Sequence, residues 1–188
     1  MTTLKTDLLE QFAQRAEAEG LLDVAYAEVD SPLGKLLLAS TPKGIVRVGF
    51  HNENHEDVLE ELSARLSPRV IEAPAKFDAV RRELDEYFEG RLHKFTAKLD
   101  WTLTGNGFRH EVLKYTAKIP YGRTSTYMEM ATKAGNRKAY RAAGNALGSN
   151  PIPVIVPCHR VLATGGGLGG YGGGLDVKER LLQLEGAL

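Results

Sequence analysis

Three prolines in the second half of the chain constrain its fold more than any other feature. Pro151, Pro153 and Pro157 bracket four apolar residues, and helical patterns lie on either side of this segment. Proline lacks a backbone N–H, excludes a helix interior and pushes the preceding residue toward extended backbone. The β-branched residues at 154–156 favour a strand. We therefore predict that 151–156 is extended and buried, and that it ends at a rigid turn at Pro157.

Charge and glycine divide the chain into two parts. Residues 1–100 carry 13 Lys and Arg against 19 Asp and Glu, whereas residues 101–188 carry 11 against 5. Five of the 20 glycines precede residue 101. We predict an N-terminal domain at 1–100, with an extra helix at 1–20, and a C-terminal domain at 101–188. Unless the charge split is an accident of surface composition, the second domain alone meets a polyanion.

The composition excludes several classes of protein. No apolar run reaches the roughly 18 residues that a membrane span needs, and the N-terminus lacks the basic start and apolar centre of a secretory signal. A single cysteine makes neither an internal disulfide nor a four-cysteine zinc site. We expect a cytoplasmic protein without a membrane partner.

The N-terminal part is predicted to be a small antiparallel sheet with helices over it. Alternating apolar residues between turn signals predict strands at 22–30, 33–40 and 45–50. Helical periodicity predicts helices at 1–20, 54–66 and 76–89, followed by a linker at about 91–107. This order indicates an α+β fold.

The C-terminal part is predicted to be mainly helical. A helix begins at Phe108 and ends before Pro120, and two short helices at 126–134 and 137–147 meet at Gly135, as in a helix-turn-helix. The last helix is predicted to begin near Asp176, with Glu179 completing a capping pair, and to end near residue 186.

Cys158 is the candidate for chemistry. It lies between Pro157 and His159, and Arg160 follows. An adjacent imidazole can take the thiol proton, directly or through a water, and leave the reactive thiolate. A carboxylate can orient that imidazole, although the local residues do not identify which one. The alternative is a buried cysteine that acts as a small apolar residue.

The chain around Cys158 resembles the active-site segment of the O6-alkylguanine-DNA alkyltransferases. The resembling stretch runs from Pro151 to Val161 and contains Pro-Cys-His-Arg. The resemblance is strong over 108–186 and weaker over 23–50. It also includes Ile119-Pro-Tyr-Gly122, Ser125-Thr-Tyr127, Ala134-Gly-Asn136, Arg141-Ala-Ala-Gly144, Gly173-Gly-Leu175 and Leu184-Glu-Gly186. It implies a ribonuclease H-like N-terminal domain and a winged-helix-like C-terminal domain with a helix-turn-helix.

The resemblance implies a suicide mechanism. Cys158 would attack the alkyl carbon on guanine O6 and keep the alkyl group, so that each molecule acts once. His159 would act as base through a water, and Glu185 would orient His159. The thiolate and the imidazolium would form an ion pair.

The resemblance also implies that the target base leaves a DNA duplex through the minor groove. Arg141 would fill the gap, Tyr127 would crowd the target phosphate and Asn150 would brace the active-site turns. Met128, Asn136 and Thr164 fall at DNA-contacting positions. Candidates for phosphate contacts are Arg109, Lys114, Lys133, Arg137 and Lys138.

The predicted base pocket consists of Pro153, the backbone of Cys158 and Val161, and the loop 171–174, which begins at Tyr171. Arg160 and Lys178 are expected to support it. Many relatives have serine where this chain has Gly172. We expect glycine to widen the pocket and to affect the tolerance of bulky adducts.

We expect no cofactor and no metal, because the N-terminal cysteines of zinc-containing relatives are absent and His51, His55 and His93 lack patterned partners. We expect a monomer that binds DNA, with cooperativity along DNA left open. Two alternatives are a winged-helix-like protein that binds alkylated DNA without repair, and a cysteine hydrolase. Adjacent cysteine and histidine are unusual in hydrolases.

Overall fold

The structure, a computed structural model, describes residues 2–188, with side chains described from residue 8 onward. These residues form two compact units. The first holds the residues through Asp85 together with Thr96–Asp100, and the second holds Glu86–Phe95 together with Trp101–Leu188. The domain limits of 1–100 and 101–188 stay a prediction.

The first unit is built on a four-stranded sheet. Its strands are β1 (Val24–Val29), β2 (Leu36–Thr41), β3 (Gly44–Gly49) and β4 (Val70–Glu72), in the spatial order β3-β2-β1-β4. The predicted strands β1, β2 and β3 pair antiparallel. β4 pairs parallel with β1, so the sheet is mixed and not wholly antiparallel as predicted. A strand of three residues is too short for alternation to predict it.

Three helices accompany this sheet at the predicted places. They are α1 (Thr2–Ala18), α2 (His55–Arg65) and α3 (Asp78–Phe88), whose last residues belong to the second unit. The Asn54 side chain caps α2 by accepting a hydrogen bond from the Glu56 N–H at 3.0 Å. α1 buries Ala13 and Ala16 and exposes Leu8 and Phe12. The predicted α+β class is therefore confirmed for this unit.

The second unit is mainly helical. Its helices are α4 (Phe108–Thr116), α5 (Tyr127–Lys133), α6 (Tyr140–Gly148) and α7 (Leu175–Leu184). Thr126 and Glu129 form a capping box at the start of α5. A 3₁₀ turn at Arg137–Ala139 precedes α6, so the α-helix predicted at 137–147 begins at Tyr140 instead. Across residues 2–188, no helix has the length and apolar character that a bilayer span requires.

A short parallel pair of strands adds β structure that the sequence did not predict. β5 (Ser125–Thr126) pairs with β6 (Val161–Leu162). Because β5 leads directly into α5 and β6 directly follows the Cys158 turn, this pairing joins the helix-turn-helix to the segment that carries the thiol.

The expected extended strand at 151–156 is wrong. Residues 151–157 form consecutive tight turns, in which Val156 N–H donates to Ile152 O and Ile155 N–H donates to Pro153 O, both at 2.9 Å. Val154 has φ = 70°, a conformation that is unfavourable for a β-branched residue. The segment is buried as predicted. The prolines exclude a helix, but hydrogen bonds within the loop, and not strand pairing, satisfy its backbone.

The capping pair expected for α7 is also wrong. The N-cap is Gly174, at φ = 98°, and in this described region it receives no side-chain capping bond. Asp176 lies inside the first turn, where its negative charge suits the helix N-terminus.

Candidate active site

Cys158 begins a 3₁₀ turn, Cys158–Arg160, that directly follows Pro157. The residue is 6% exposed, and its Sγ accepts a hydrogen bond from Asn150 Nδ2 at 3.1 Å. It also lines an open cavity of about 480 Å³. The thiol is therefore enclosed by protein except on the side that faces this cavity.

Asn150 holds the turn segment around Cys158. Besides Sγ, its Nδ2 donates to Val156 O at 2.9 Å, and its Oδ1 accepts from Ile152 N–H at 3.0 Å. Asn150 is buried, so water does not replace these bonds. One amide side chain therefore fixes both the loop and the thiol, at the position where the family resemblance implies a bracing asparagine.

His159, Arg160 and Glu185 form a buried charged cluster behind the thiol. His159 Nε2 lies 2.9 Å from Glu185 Oε1, and because a carboxylate only accepts, Nε2 carries the hydrogen. Arg160 Nε and Nη2 donate to Oε2 and Oε1, each at 2.8 Å. His159 Nδ1 is buried and has no hydrogen-bond partner among the side chains and backbone that the structure describes. The neutral ring therefore presents a lone pair at Nδ1.

Two further donors reach Glu185 that no local sequence pattern indicates. Tyr87 Oη donates to Oε1 at 2.6 Å, and Gly122 N–H donates to Oε2 at 3.3 Å. Glu185 is 5% exposed. Tyr87 is 98 residues away in sequence, so no local pattern could have indicated this contact.

The pKa shifts of Cys158 and His159 favour a neutral thiol and a neutral imidazole in the free protein. Burial raises the pKa of the Cys158 thiol to about 11, against the opposing hydrogen bond from Asn150. Burial lowers the pKa of His159, against the opposing hydrogen bond to Glu185. Burial also disfavours the Glu185 carboxylate, but the bonds from His159 and Arg160 outweigh it and lower its pKa to about 2. The thiolate–imidazolium pair that the resemblance implies for alkyl transfer stays a prediction.

The cavity beside Cys158 has a glycine-rich wall. It is lined by Tyr127, Gly144, Leu147, Gly148, Cys158, Gly169, Gly170, Tyr171 and Gly172. Of the predicted pocket residues, Cys158, Tyr171 and Gly172 line it, whereas Pro153 and Val161 are buried and do not. The small residues of α6 could have indicated this cavity from the sequence, because small side chains leave room for a ligand.

Lys178 ties the glycine-rich loop to the Cys158 segment. Its Nζ donates to Val161 O at 2.7 Å and also to Leu168 O. The side chain is fully buried, and burial lowers its pKa. Lys178 therefore connects β6 with the loop 165–174, which is consistent with the predicted supporting role.

The residues expected at DNA lie on and near the helix-turn-helix. Tyr127 and Met128 begin α5 and are half-buried, whereas Asn136, Arg141 and Thr164 are exposed. The Asn136 side chain caps the following 3₁₀ turn by accepting from Lys138 N–H at 3.1 Å. The Tyr127 ring faces the cavity, and burial raises the pKa of its hydroxyl.

The candidate phosphate contacts divide into two groups. Lys133, Arg137 and Lys138 are exposed. Arg109 instead donates to Leu103 O at 3.1 Å and to Ser149 O at 2.6 Å. Lys114 lies over the Trp101 ring at 4.8 Å. The first group is therefore better placed for DNA.

Among the described side chains, from residue 8 to residue 188, no cluster of three or more His, Cys, Asp or Glu could hold a metal. His51, His55 and His93 therefore lie outside any such cluster. His55 Nδ1 lies 2.6 Å from Glu28 Oε1, and His93 stacks on Tyr121 with ring centroids 4.2 Å apart.

A helix-turn-helix joined to a buried cysteine with a histidine–glutamate pair defines a DNA-binding protein with a potential nucleophile. Two family models match the chain. The 6-O-methylguanine DNA methyltransferase, ribonuclease-like domain matches residues 24–101, and the 6-O-methylguanine DNA methyltransferase, DNA binding domain matches residues 107–187. The chain therefore belongs to the 6-O-methylguanine DNA methyltransferase family, which confirms the resemblance and the fold class.

Individual relatives agree with this assignment. A methylated-DNA–protein-cysteine methyltransferase of Methanosarcina barkeri is 41% identical over 161 residues, covering 85% of this chain and 96% of the relative. Mycobacterium tuberculosis O6-methylguanine methyltransferase superposes with a TM-score of 0.75 at 38% identity, covering 87% of this chain and 93% of that one. A structure of Mycobacterium tuberculosis OGT in complex with DNA gives a TM-score of 0.75 at 37% identity, with the same coverage.

Proposed function

We propose that this protein repairs O6-alkylguanine in double-stranded DNA by moving the alkyl group irreversibly onto Cys158 Sγ. The observation that carries the proposal is the position of Cys158. It lines a cavity that also touches the first and second helices of a helix-turn-helix, and a histidine–glutamate pair lies behind it. The names of the relatives support the same reaction.

The transfer is a single displacement. A bond forms between Sγ and the alkyl carbon, and the bond between that carbon and guanine O6 breaks. The thiol loses one proton and the leaving guanine takes up one, so the net charge is unchanged. The product thioether is a poor leaving group, and the protein is therefore consumed one molecule per lesion.

His159 is proposed as the base that removes the thiol proton through a water. Its Nε2–H is fixed on Glu185, so the basic lone pair is at Nδ1. The raised pKa of Cys158 and the lowered pKa of His159 disfavour proton transfer in the free protein. We propose that deprotonation accompanies attack on a bound lesion, which protects the resting thiol from other alkylating agents.

The DNA partner is proposed to lie across α5 and α6 in the minor groove, with the target base rotated into the cavity. Arg141 is exposed on α6 and is proposed to fill the gap that the rotated base leaves in the base stack. Tyr127, which lines the cavity, is proposed to contact the target nucleotide. Asn136, Met128 and Thr164 are proposed to contact the DNA. The protein is proposed to act as a monomer.

The test is a count of alkyl groups per protein molecule. The protein is incubated with excess duplex that contains O6-methylguanine, and its intact mass and its Cys158 peptide are measured. We expect one methyl group, on Cys158, however great the excess of DNA. Cys158→Ala is expected to transfer none while retaining DNA binding.

Other results identify the alternatives. Retained binding of alkylated DNA with no methyl gained by the unaltered protein would indicate a binder without repair activity. Many turnovers on an ester substrate would indicate a hydrolase. Either result contradicts the proposal.

A further inference from the structure

Tyr87 is a buried polar residue that the proposed mechanism does not use. It is fully buried, and it is the largest such side chain in the described part of the chain. Its ring packs against Phe88, Phe95 and Tyr121, with centroid distances of 5.4, 5.2 and 6.2 Å. Ring packing alone would be satisfied by phenylalanine, so the hydroxyl needs a separate explanation.

The hydroxyl is aimed at the oxygen that orients the base. Tyr87 Oη donates to Glu185 Oε1 at 2.6 Å, and Oε1 is also the oxygen that accepts from His159 Nε2 at 2.9 Å. Arg160 Nη2 is a third donor to the same atom, at 2.8 Å. Each of these three hydrogen bonds stabilises the charged carboxylate, so losing one of them leaves a more basic Glu185 facing His159.

We propose that Tyr87 is a positioning residue for alkyl transfer, whose hydroxyl fixes the Glu185 carboxylate and limits how strongly that carboxylate favours the imidazolium form of His159. The proposal rests on the proposed function, because it assigns His159 the role of base. It requires that Tyr87 stays protonated, and burial together with the adjacent carboxylate raises the pKa of Tyr87 far above its ordinary range.

The other charged and titratable groups around His159 do not duplicate this effect. They are Glu185, Arg160, Lys178, Cys158 and Tyr171. Arg160 and Lys178 disfavour the imidazolium by their positive charge, whereas Tyr87 acts without charge, by hydrogen bonding to its counter-ion. Removing the Tyr87 hydroxyl is therefore expected to strengthen the Glu185–His159 bond and to raise the pKa of His159.

The experiment compares Tyr87→Phe with Tyr121→Phe. Tyr121 belongs to the same aromatic cluster, but its hydroxyl donates to the Leu184 carbonyl at 2.9 Å and not to the carboxylate. The rate of methyl transfer from O6-methylguanine duplex is measured between pH 5 and pH 9. The His159 imidazole is titrated by NMR in the free protein, with its signal assigned by comparison with His159→Gln.

Neutral His159 is the active form, so a higher pKa moves the acid limb of the rate profile to higher pH. For Tyr87→Phe we expect an upward shift on the order of half a pH unit in both measurements and a plateau rate about threefold to tenfold lower. Tyr121→Phe is expected to shift neither. Equal shifts in the two variants, or none in Tyr87→Phe, would overturn the proposal.

A third protein keeps the test valid if Tyr87→Phe folds poorly. Replacing Tyr87 with 3-fluorotyrosine retains the ring and makes the hydroxyl a stronger donor, so the His159 titration is expected to move in the opposite direction. The NMR titration needs no alkyl transfer. If the unaltered protein transfers no methyl group, the proposed function fails, whereas the effect of Tyr87 on His159 remains measurable.

Discussion

Glu185 is the residue on which the most hydrogen bonds of the site converge, and this has a consequence for stability. Its donors are Tyr87, Gly122, His159 and Arg160, and its pKa is lowered to about 2 from an ordinary 4.5. A carboxylate with a lowered pKa in the folded state contributes stability that is complete above pH 4.5 and is lost as the pH falls toward 2.

We therefore expect acid to weaken the unaltered protein more than Glu185→Gln. The contribution is on the order of 2–3 kcal/mol between pH 6 and pH 2.5, and it should be absent from Glu185→Gln. Urea unfolding at several pH values measures it. Glu179→Gln, on the exposed side of α7, is the matched control and should keep the steep dependence. Identical acid dependence in all three proteins would contradict this prediction.

Gly172 affects the volume of the cavity, because it lines the cavity and has no side chain. A Cβ at this position would have only Gly148 O within 4.0 Å, so serine fits and its side chain enters a wall of the cavity. We expect Gly172→Ser to lower the transfer rate for O6-benzylguanine relative to O6-methylguanine, by about 10-fold for the loss of apolar fit. Gly167→Ser, outside the cavity lining, is the control. An unchanged benzyl-to-methyl ratio would contradict the role of Gly172.

At the scale of elements, periodic patterns could be predicted and long-range contacts could not. The helices from α1 to α7 and the strands β1 to β3 follow apolar spacing and turn residues, which are local properties. β4 and the β5–β6 pair are too short to show a period, and their partners are distant in sequence. The turns at 151–157 depend on the buried amide of Asn150, and no spacing rule encodes that contact. The same reason explains why Cys158 was found from its neighbours and Tyr87 was not.

The glycine-rich loop is an element whose position depends on one close approach. Gly169 has φ = 68°, and a Cβ there would clash with the Tyr127 hydroxyl. We expect Gly169→Ala to displace the loop from Tyr127 and to lower the transfer rate at least about 10-fold, with about 1–3 kcal/mol of strain. Hydrogen exchange over residues 165–174 and the transfer rate measure this.

Gly167→Ala is the matched control for the loop, because a Cβ there meets Ala163 at an ordinary 3.8 Å. It should leave both hydrogen exchange and transfer close to those of the unaltered protein. If the two alanine variants behaved alike, general flexibility of the loop, and not its approach to Tyr127, would explain the requirement for glycine.

For the whole molecule, a net charge of zero conceals an uneven distribution of charge along the chain. The 24 basic and 24 acidic residues balance, but residues 101–188 carry 11 basic against 5 acidic. This excess was visible in the sequence because a sum of charges needs no knowledge of the fold. The exposed residues Arg137 and Lys138 lie on the turn between α5 and α6, where their charges can reach phosphates without being neutralised by buried partners.

We therefore expect DNA affinity to fall steeply with salt, although the protein as a whole is neutral. Each phosphate contact that is lost reduces the slope of log affinity against log salt by about 0.9, so Arg137→Gln with Lys138→Gln should reduce it by about 2. The loss should be equal for undamaged and alkylated duplex, because phosphates carry no information about the lesion. Lys35→Gln with Lys43→Gln removes the same charge from exposed positions of the first unit and should leave the slope unchanged. Fluorescence anisotropy between 50 and 300 mM salt measures DNA affinity for the unaltered protein and the two double variants. Equal slopes in the two double variants would show that net charge governs DNA binding, and not the location of that charge beside the helix-turn-helix.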